Sequence, residues 1–336
     1  MDNFEDLSLR IEKFIEEEKD RNPDIKYLNK THAKLITQII SNYKLSEKND
    51  SENIPTAKMI FLGAPTGAGK DTLVRKIKKD NQDENFIDLN MDIFRHYHNE
   101  ISDMPEDIKD KDFAIKTNQT SYELYYIIQE IILREFPGTN IIVTGTMKDL
   151  EWVKAIVSRY KKDKKTKYST SLYTLAVPPN ESAFSIFERY LNMVDTRGNS
   201  KAPLRYTDLS YHSETIKNFI ANVIAFESDL RQNSENSLFD SIRVYRRGEN
   251  IFNDNEDTLI YDSDNRDLEN SAGLCIHKIM NSNPQIDGKR IVQLLDIIKR
   301  NSDYLTSQDL YVDILINLQK ILPQLNRSKG DSSVGK

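Results

Sequence analysis

Residues 58–79 read KMIFLGAPTGAGKDTLVRKIKK. Met59 to Leu62 form a buried-strand run, and Leu73, Val74 and Ile77 share one helical face. Between them, Gly67 and Gly69 flank Ala68 just ahead of Lys70. Glycines let backbone N–H groups wrap around an anion. A helix start adds positive potential at the same place, and a lysine adds a mobile charge. Strand, glycine turn, lysine and helix are the context of the phosphate loop G-x-x-x-x-G-K-[ST]. Two positions depart from it. Ala64 stands where the first glycine is expected, with Gly63 one residue early, and Asp71 follows the lysine. The Mg²⁺-binding hydroxyl is therefore displaced: Thr72 supplies one a residue later, or Asp71 reaches the ion through water. The expected cofactors are ATP and Mg²⁺, held by Gly67, Ala68, Gly69, Lys70, Asp71 and Thr72.

A second acid-bearing segment follows, FIDLNMDIFRHYH at 86–98. Asp88, Asn90 and Asp92 alternate and share a face if the strand runs on. Open parallel sheets bind ligands at the carboxyl ends of their strands. Asp92 is thus expected beside the loop's phosphates, where a carboxylate accepts a proton from an attacking hydroxyl. The competing reading is that Asp92 caps the helix begun by Ile93 and Phe94. Farther on, RYLNMVDTRGNSKAPLRY carries Arg189, Arg197, Lys201 and Arg205 on a helix end and a Gly/Pro loop. Cations so placed stabilise the charge of a transferring phosphoryl group, or form a solvated lid. His96 and His98 lack companion ligands and read as helix histidines.

These residues need a scaffold. Short apolar runs MIFLG, NFIDLN, NIIVTGT, SLYTLAV and SIRVYRR alternate with helical periodicity at about 70–79, 117–135, 149–162, 181–194 and 212–232. That alternation predicts an α/β fold of P-loop NTPase type, a mostly parallel sheet flanked by helices. Helical additions are expected at both ends: 5–20 and about 31–43 before the first strand, LLDIIKR and LYVDILINLQKIL after Asp264. The implied division is an N-terminal extension (1–55), a kinase domain (56–263), a C-terminal helical region (264–326) and a disordered tail (327–336).

Composition narrows the class. Of 336 residues, 38% are hydrophobic and 30% charged, enough for a sizeable core, and the net charge of −6 argues against a nucleic-acid partner. The single cysteine, Cys275, excludes an intrachain disulfide framework and fits a reducing cytoplasm. The acidic, amphipathic N-terminus is not a signal peptide, and no apolar run reaches the length of a membrane span.

The ordered set of phosphate loop, D-x-F-R-x-x-H (Asp92, Phe94, Arg95, His98), NIIVTGT, LAVPPNESAFSIFERY and LFDSIRVYRR resembles the zeta toxins over about residues 32–262. These bacterial toxin–antitoxin kinases phosphorylate UDP-N-acetylglucosamine on the 3′-hydroxyl of its amino sugar and so block cell-wall synthesis. The resemblance implies that Lys70 binds ATP phosphates, Asp92 is the general base, and Arg189 stabilises the phosphoryl group in flight. A second arginine comes from the loop after it. Arg205 stands seven residues before His212, as the family pattern requires, and Arg197 competes for the role. Thr146 and Lys148 fall where the family contacts the sugar nucleotide. Thr144 replaces a family glutamate there, Lys148 replaces an arginine, and Glu123 matches another glutamate at stretched spacing. A helical antitoxin that obstructs the ATP site is the implied protein partner. A different sugar nucleotide or a dinucleotide is the alternative acceptor, and a weakened nucleotide-binding regulator the alternative function. Residues 1–28 lie beyond the resemblance. Their apolar face must be buried, against the flank of the sheet or in an inhibitory contact.

Overall fold

The computed structural model describes residues 4–43, 45, 54–97, 108–198, 203–233, 236–248, 258–265, 271–284 and 286–326. Its centre is a six-stranded sheet: β1 (Thr56–Gly63), β2 (Phe86–Leu89), β3 (Asn140–Gly145), β4 (Lys167–Ala176), β5 (Ser241–Arg246) and β6 (Leu259–Asp262). The spatial order is β2-β3-β1-β4-β5-β6, parallel except for β6. From β1 the chain builds β2 and β3 on one side, then returns to build β4 and β5 on the other. The carboxyl end of β1 is therefore the topological switch point, where open α/β sheets bind ligands.

Strand periodicity divides the core. Met59 and Phe61 point to one face, Ile60 and Leu62 to the other, and all four are buried. The first face packs on the extension helices α1 (Phe4–Arg21) and α2 (Ala33–Ser41) and on later helices. The second face packs on Leu73, Val74 and Ile77 of α3 (Lys70–Asp80). Then come α4 (Met91–Phe94), α5 (Asp110–Lys116), α6 (Asn118–Glu135), α7 (Leu150–Lys161), α8 (Pro179–Thr196) and α9 (Leu209–Gln232). The chain closes with α10 (Ala272–Met280), α11 (Gly288–Arg300), α12 (Ser302–Ser307) and α13 (Tyr311–Asn326).

The α/β alternation read from periodicity is the observed one, with helical additions at both ends. Three differences have local causes. β2 stops at Leu89, because Asn90 turns out of the strand and caps α4. Asp88, Asn90 and Asp92 therefore do not share a strand face. The antiparallel edge strand β6 is too short and too exposed to carry a pattern of its own. The helices α5 and α10, of seven and nine residues, are likewise short.

The apolar face of α1 (Leu7, Ile11, Phe14, Ile15) packs on the flank of the sheet domain, in one core with α6. Arg10 pairs with Glu135 at 2.7 Å and Tyr126 donates to Glu18 at 2.9 Å. At the other end, α11, α12 and α13 bury Leu294, Ile298, Leu305, Ile314 and Leu318 against Phe184, Phe187, Tyr190 and Leu191 of α8. Arg290 clamps this contact with two hydrogen bonds to Glu188, at 2.8 and 2.6 Å. Among the described residues no helix is long and apolar enough to cross a membrane.

Candidate active site

The loop between β1 and α3 lies at the switch point. Gly67 (φ +79°) and Gly69 (φ +97°) both adopt left-handed backbone, which glycine takes without strain. Gly67 is also pressed against α8: a Cβ there would lie 2.1 Å from the Ser182 carbonyl oxygen. The first turn of α8 is held in turn from α9, where buried His212 places Nε2 2.8 Å from Ser182 Oγ. Burial lowers the His212 pKa to about 4, so the ring is neutral at pH 7.

The unusual spelling at the front of the loop has a steric cause. A Cβ on Gly63 would lie 2.1 Å from Met147 Cγ, so the glycine is needed one residue early. Ala64 is fully buried, and its N–H donates to the Gly145 carbonyl at 3.2 Å. The loop that follows β3 is thereby set against the glycine loop.

Lys70 Nζ folds back on its own loop, donating to the carbonyls of Ala64 (3.1 Å) and Pro65 (3.4 Å). Burial pushes its ammonium down to about 8, although Asp92 and Asp71 pull the other way; Arg205 and Arg189 lower it further. Lys70, Asp92, Arg205, Arg189 and Asp71 therefore form one electrostatic group. Two polar atoms at the loop, Thr66 Oγ1 and Arg247 Nε, are buried without a hydrogen-bond partner among the described residues. The Arg247 guanidinium lies 3.9 Å from the position a Gly69 Cβ would occupy, anchored by Glu181 (3.2 Å) and Ser185 (3.0 Å). Left-handed glycines, a helix start, a lysine on neutral carbonyls and orphaned donors fit a polyphosphate.

Asp92 is not the helix cap. Asn90 holds that role, accepting the Asp92 N–H at 3.0 Å, and this leaves the Asp92 carboxylate for other partners. Arg95 Nε donates to one oxygen at 3.1 Å and Arg205 pairs with the other. Burial raises the Asp92 pKa, but Arg205 and Arg95 outweigh it and hold the carboxyl at about 2. Arg95 is buried and fixed by Ala114 O (2.7 Å), Thr117 Oγ1 (3.2 Å) and Asn118 Oδ1 (3.3 Å). Of the two competing arginines, the structure brings Arg205 to Asp92. Arg197 lies over the Tyr304 ring, 4.2 Å from its centroid. Arg189, on α8, keeps exposed surface, yet partial burial and the nearby Arg205 lower its pKa, and its charge reaches Lys70.

Thr144 is buried near the end of β3, paired with Leu62 across the strands. Thr146 is half-buried, and Met147 takes left-handed backbone (φ 57°), its carbonyl held by Asn222 Nδ2 at 2.7 Å. Lys148 pairs with Glu214 at 2.7 Å and sits over the Tyr211 ring, 4.4 Å from its centroid. Glu123 has a structural task. Its oxygens accept the N–H groups of Lys26 (2.8 Å), Tyr27 (2.8 Å) and Leu28 (3.0 Å) and the Gln119 amide (3.0 Å). A carboxylate has about four acceptor sites, so none is left for a sugar.

Thr72 Oγ1, in the first turn of α3, accepts from Arg75 at 3.1 Å, and Asp71 is exposed beside it. Among the described residues no cluster of three His, Cys, Asp or Glu side chains could hold a metal ion. A Mg²⁺ ion here needs phosphate oxygens as further ligands. His98, the His96 side chain and Lys201 lie outside the described residues.

Asn222, Glu214 and Tyr211 carry no motif signal, and Arg247 closes the LFDSIRVYRR run. Arg247 was discoverable as a cation one residue past a strand aimed at the switch point; the others meet the site only through the packing of α9.

A family model described as Zeta toxin matches residues 42–266. No curated protein matches the chain. Among solved structures, the chain is similar to one from a study of the PezAT chromosomal toxin–antitoxin system of the human pathogen Streptococcus pneumoniae. The identity is 19% and the TM-score 0.57, over 82% of this chain and 98% of that one. Two AvrRxo1-ORF1:AvrRxo1-ORF2 structures are more distant. The one with sulphate ions has 13% identity and TM-score 0.45 over 83% of this chain and 85% of that one. The one with ATP has 12% identity and TM-score 0.44 over 76% and 73%.

Proposed function

Because the chain belongs to the zeta toxin family, we propose that it transfers the γ-phosphate of ATP to a hydroxyl of UDP-N-acetylglucosamine. The observation that carries the reading is the convergence of Lys70, Asp92, Arg205 and Arg189 beside the glycine loop. Lys70 and the loop N–H groups hold the phosphates. Thr72, with Asp71, would hold Mg²⁺, which when bound neutralises charge on the phosphate oxygens. Asp92 takes the proton of the attacking hydroxyl. A carboxyl held at about 2 by Arg205 is a poor base, so Arg205 serves best by leaving Asp92 for the phosphoryl oxygens once substrates are in place. That single movement would strengthen the base and stabilise the transition state together. Thr144, Thr146 and Lys148 form the acceptor side, and a protein antitoxin is the expected partner.

The test is incubation with ATP, Mg²⁺ and a panel of sugar nucleotides and dinucleotides, read by mass spectrometry for one added phosphate. Product from UDP-N-acetylglucosamine, abolished by Lys70→Ala and by Asp92→Asn, is the expected result. Asp92→Asn should leave ATP affinity nearly unchanged, because the amide keeps the shape and loses the proton-accepting charge. Product from a different member of the panel reassigns the acceptor. No product from any member, with ATP still bound, makes the chain a nucleotide-binding regulator; Asp92 locked between two guanidiniums is the feature that favours that second reading.

A further inference from the structure

We propose that Asp110 is a positioning residue through which the C-terminal helices set Arg205 against Asp92. Asp110 opens α5 and is only 1% exposed. One carboxylate oxygen accepts from Tyr190 of α8 (2.7 Å) and from Tyr304 of α12 (2.6 Å). The other accepts the Leu204 N–H at 2.7 Å. The Asp110 N–H donates to Gln308 Oε1 at 3.0 Å, and its carbonyl accepts the Tyr206 N–H at 3.5 Å. Both residues flanking Arg205 are thus tied to one buried residue. Tyr206 is fixed again from α13, where its hydroxyl donates to Asp313 at 3.0 Å, and its ring meets Tyr190 edge-on at 5.2 Å.

A buried carboxylate is costly unless its oxygens are satisfied. Here all three side-chain bonds are charge-assisted, the stronger kind, and they converge from α8, the arginine segment and the C-terminal helices. Apolar packing of α8 on α11–α13 does not require such a hub. Its specific effect is on the direction of residues 204–206, and so on where the Arg205 guanidinium lies. Tyr304, Gln308 and Asp313 lie beyond the 42–266 family match. On this view the C-terminal helices are part of the site's machinery.

The consequence for turnover rests on the kinase reading; the geometry does not, and the experiment separates them. The Asp92 carboxyl is followed by ¹³C NMR from pH 7 to 4 in the full chain, in wild type, Tyr304→Phe, Asp110→Asn, Arg205→Ala and the Tyr304→Phe, Arg205→Ala double variant. The groups that set its titration are Arg205 and Arg95 in contact, with Arg189 and Lys70 nearby. In wild type the signal stays flat. In Arg205→Ala the pKa rises from about 2 toward the ordinary 3.8 and the signal moves. Tyr304→Phe and Asp110→Asn move it in the same direction by less, and the double variant matches Arg205→Ala. Where wild type turns over, Tyr304→Phe lowers kcat roughly tenfold with the ATP KM unchanged, and adds nothing in the Arg205→Ala background. If Asp110→Asn fails to fold, Tyr304→Phe, which removes one hydroxyl, decides alone. An unmoved Asp92 signal in folded Tyr304→Phe, even with a lower melting temperature, overturns the proposal. If no substrate of the panel turns over, the kcat arm falls with the functional reading and the titration arm still decides.

Discussion

Substituting alanine at Gly67 and at Gly198 separates backbone strain from close approach. Both glycines are left-handed, at φ +79° and +56°. An alanine pays about 1–2 kcal/mol in that region, a cost the two variants share. At Gly198 a Cβ meets no atom of the described residues within 4 Å. At Gly67 it would lie 2.1 Å from the Ser182 carbonyl oxygen and 2.9 Å from Ile186 Cγ1. The oxygen belongs to helix backbone and cannot swing aside, so α8 or the loop must shift by about an ångström. Overpacking of this kind costs about 1–3 kcal/mol, and a rigid backbone neighbour puts it at the upper end. The difference between the variants is then about 3 kcal/mol, or roughly 6 °C at about 2 °C per kcal/mol for chains of this size. A displaced loop also loses the N–H geometry that holds phosphate. ATP affinity should therefore fall at least roughly tenfold in Gly67→Ala and stay near wild type in Gly198→Ala. The assays are thermal melting and fluorescent-ATP titration of the two variants side by side. Equal melting temperatures would refute the claim that close approach of α8 dictates glycine at 67.

Deleting residues 1–28 removes three N–H donors from buried Glu123 and uncovers apolar surface on α6. The melting temperature should drop by several degrees, from a loss of about 3 kcal/mol or more, with turnover per folded molecule unchanged; a several-fold rise in turnover would instead reveal inhibition in cis. His212 titrates at about 4 when folded, against 6.5 ordinarily. Its contribution to stability is complete above pH 6.5 and is lost as pH falls toward 4, about 3 kcal/mol in full. Urea midpoints should fall less between pH 7 and 4.5 in His212→Gln than in wild type, and parallel pH curves would show that burial of the neutral ring is not what the fold depends on.

The sheet was legible in the sequence because β1, β3 and β4 are central strands with buried runs flanked by amphipathic helices, and burial on both faces leaves a strong pattern. β6 was not, because an edge strand with two half-exposed residues and one exposed leaves no such pattern. Capping chemistry was legible only in part. Asn90 and Asp92 are both good N-cap residues two positions apart, and which of them caps depends on where β2 ends. Once Asn90 takes the cap, Asp92 is free for Arg95 and Arg205, a consequence that spacing alone does not reveal.

The same contrast holds for the site as a whole. The proposed phosphate site is local: Gly67, Gly69 and Lys70 lie within four residues, so the strand–turn–helix pattern places them together. The proposed acceptor side is assembled from distant segments. Lys148 follows β3, and its partners Glu214 and Tyr211 come from α9, more than sixty residues later. Thr144 looks like the loss of a carboxylate when only its own segment is read. The fold returns a carboxylate to that side through Glu214, 2.7 Å from Lys148, on a helix whose Asn222 also fixes the Met147 carbonyl. Glu123, which matched an acidic position by motif, is meanwhile saturated by backbone donors from residues 26–28. A carboxylate's role is set by which donors the fold brings to it. Matching acids by sequence position alone therefore counts in Glu123, which backbone donors saturate, and passes over Glu214 beside Lys148.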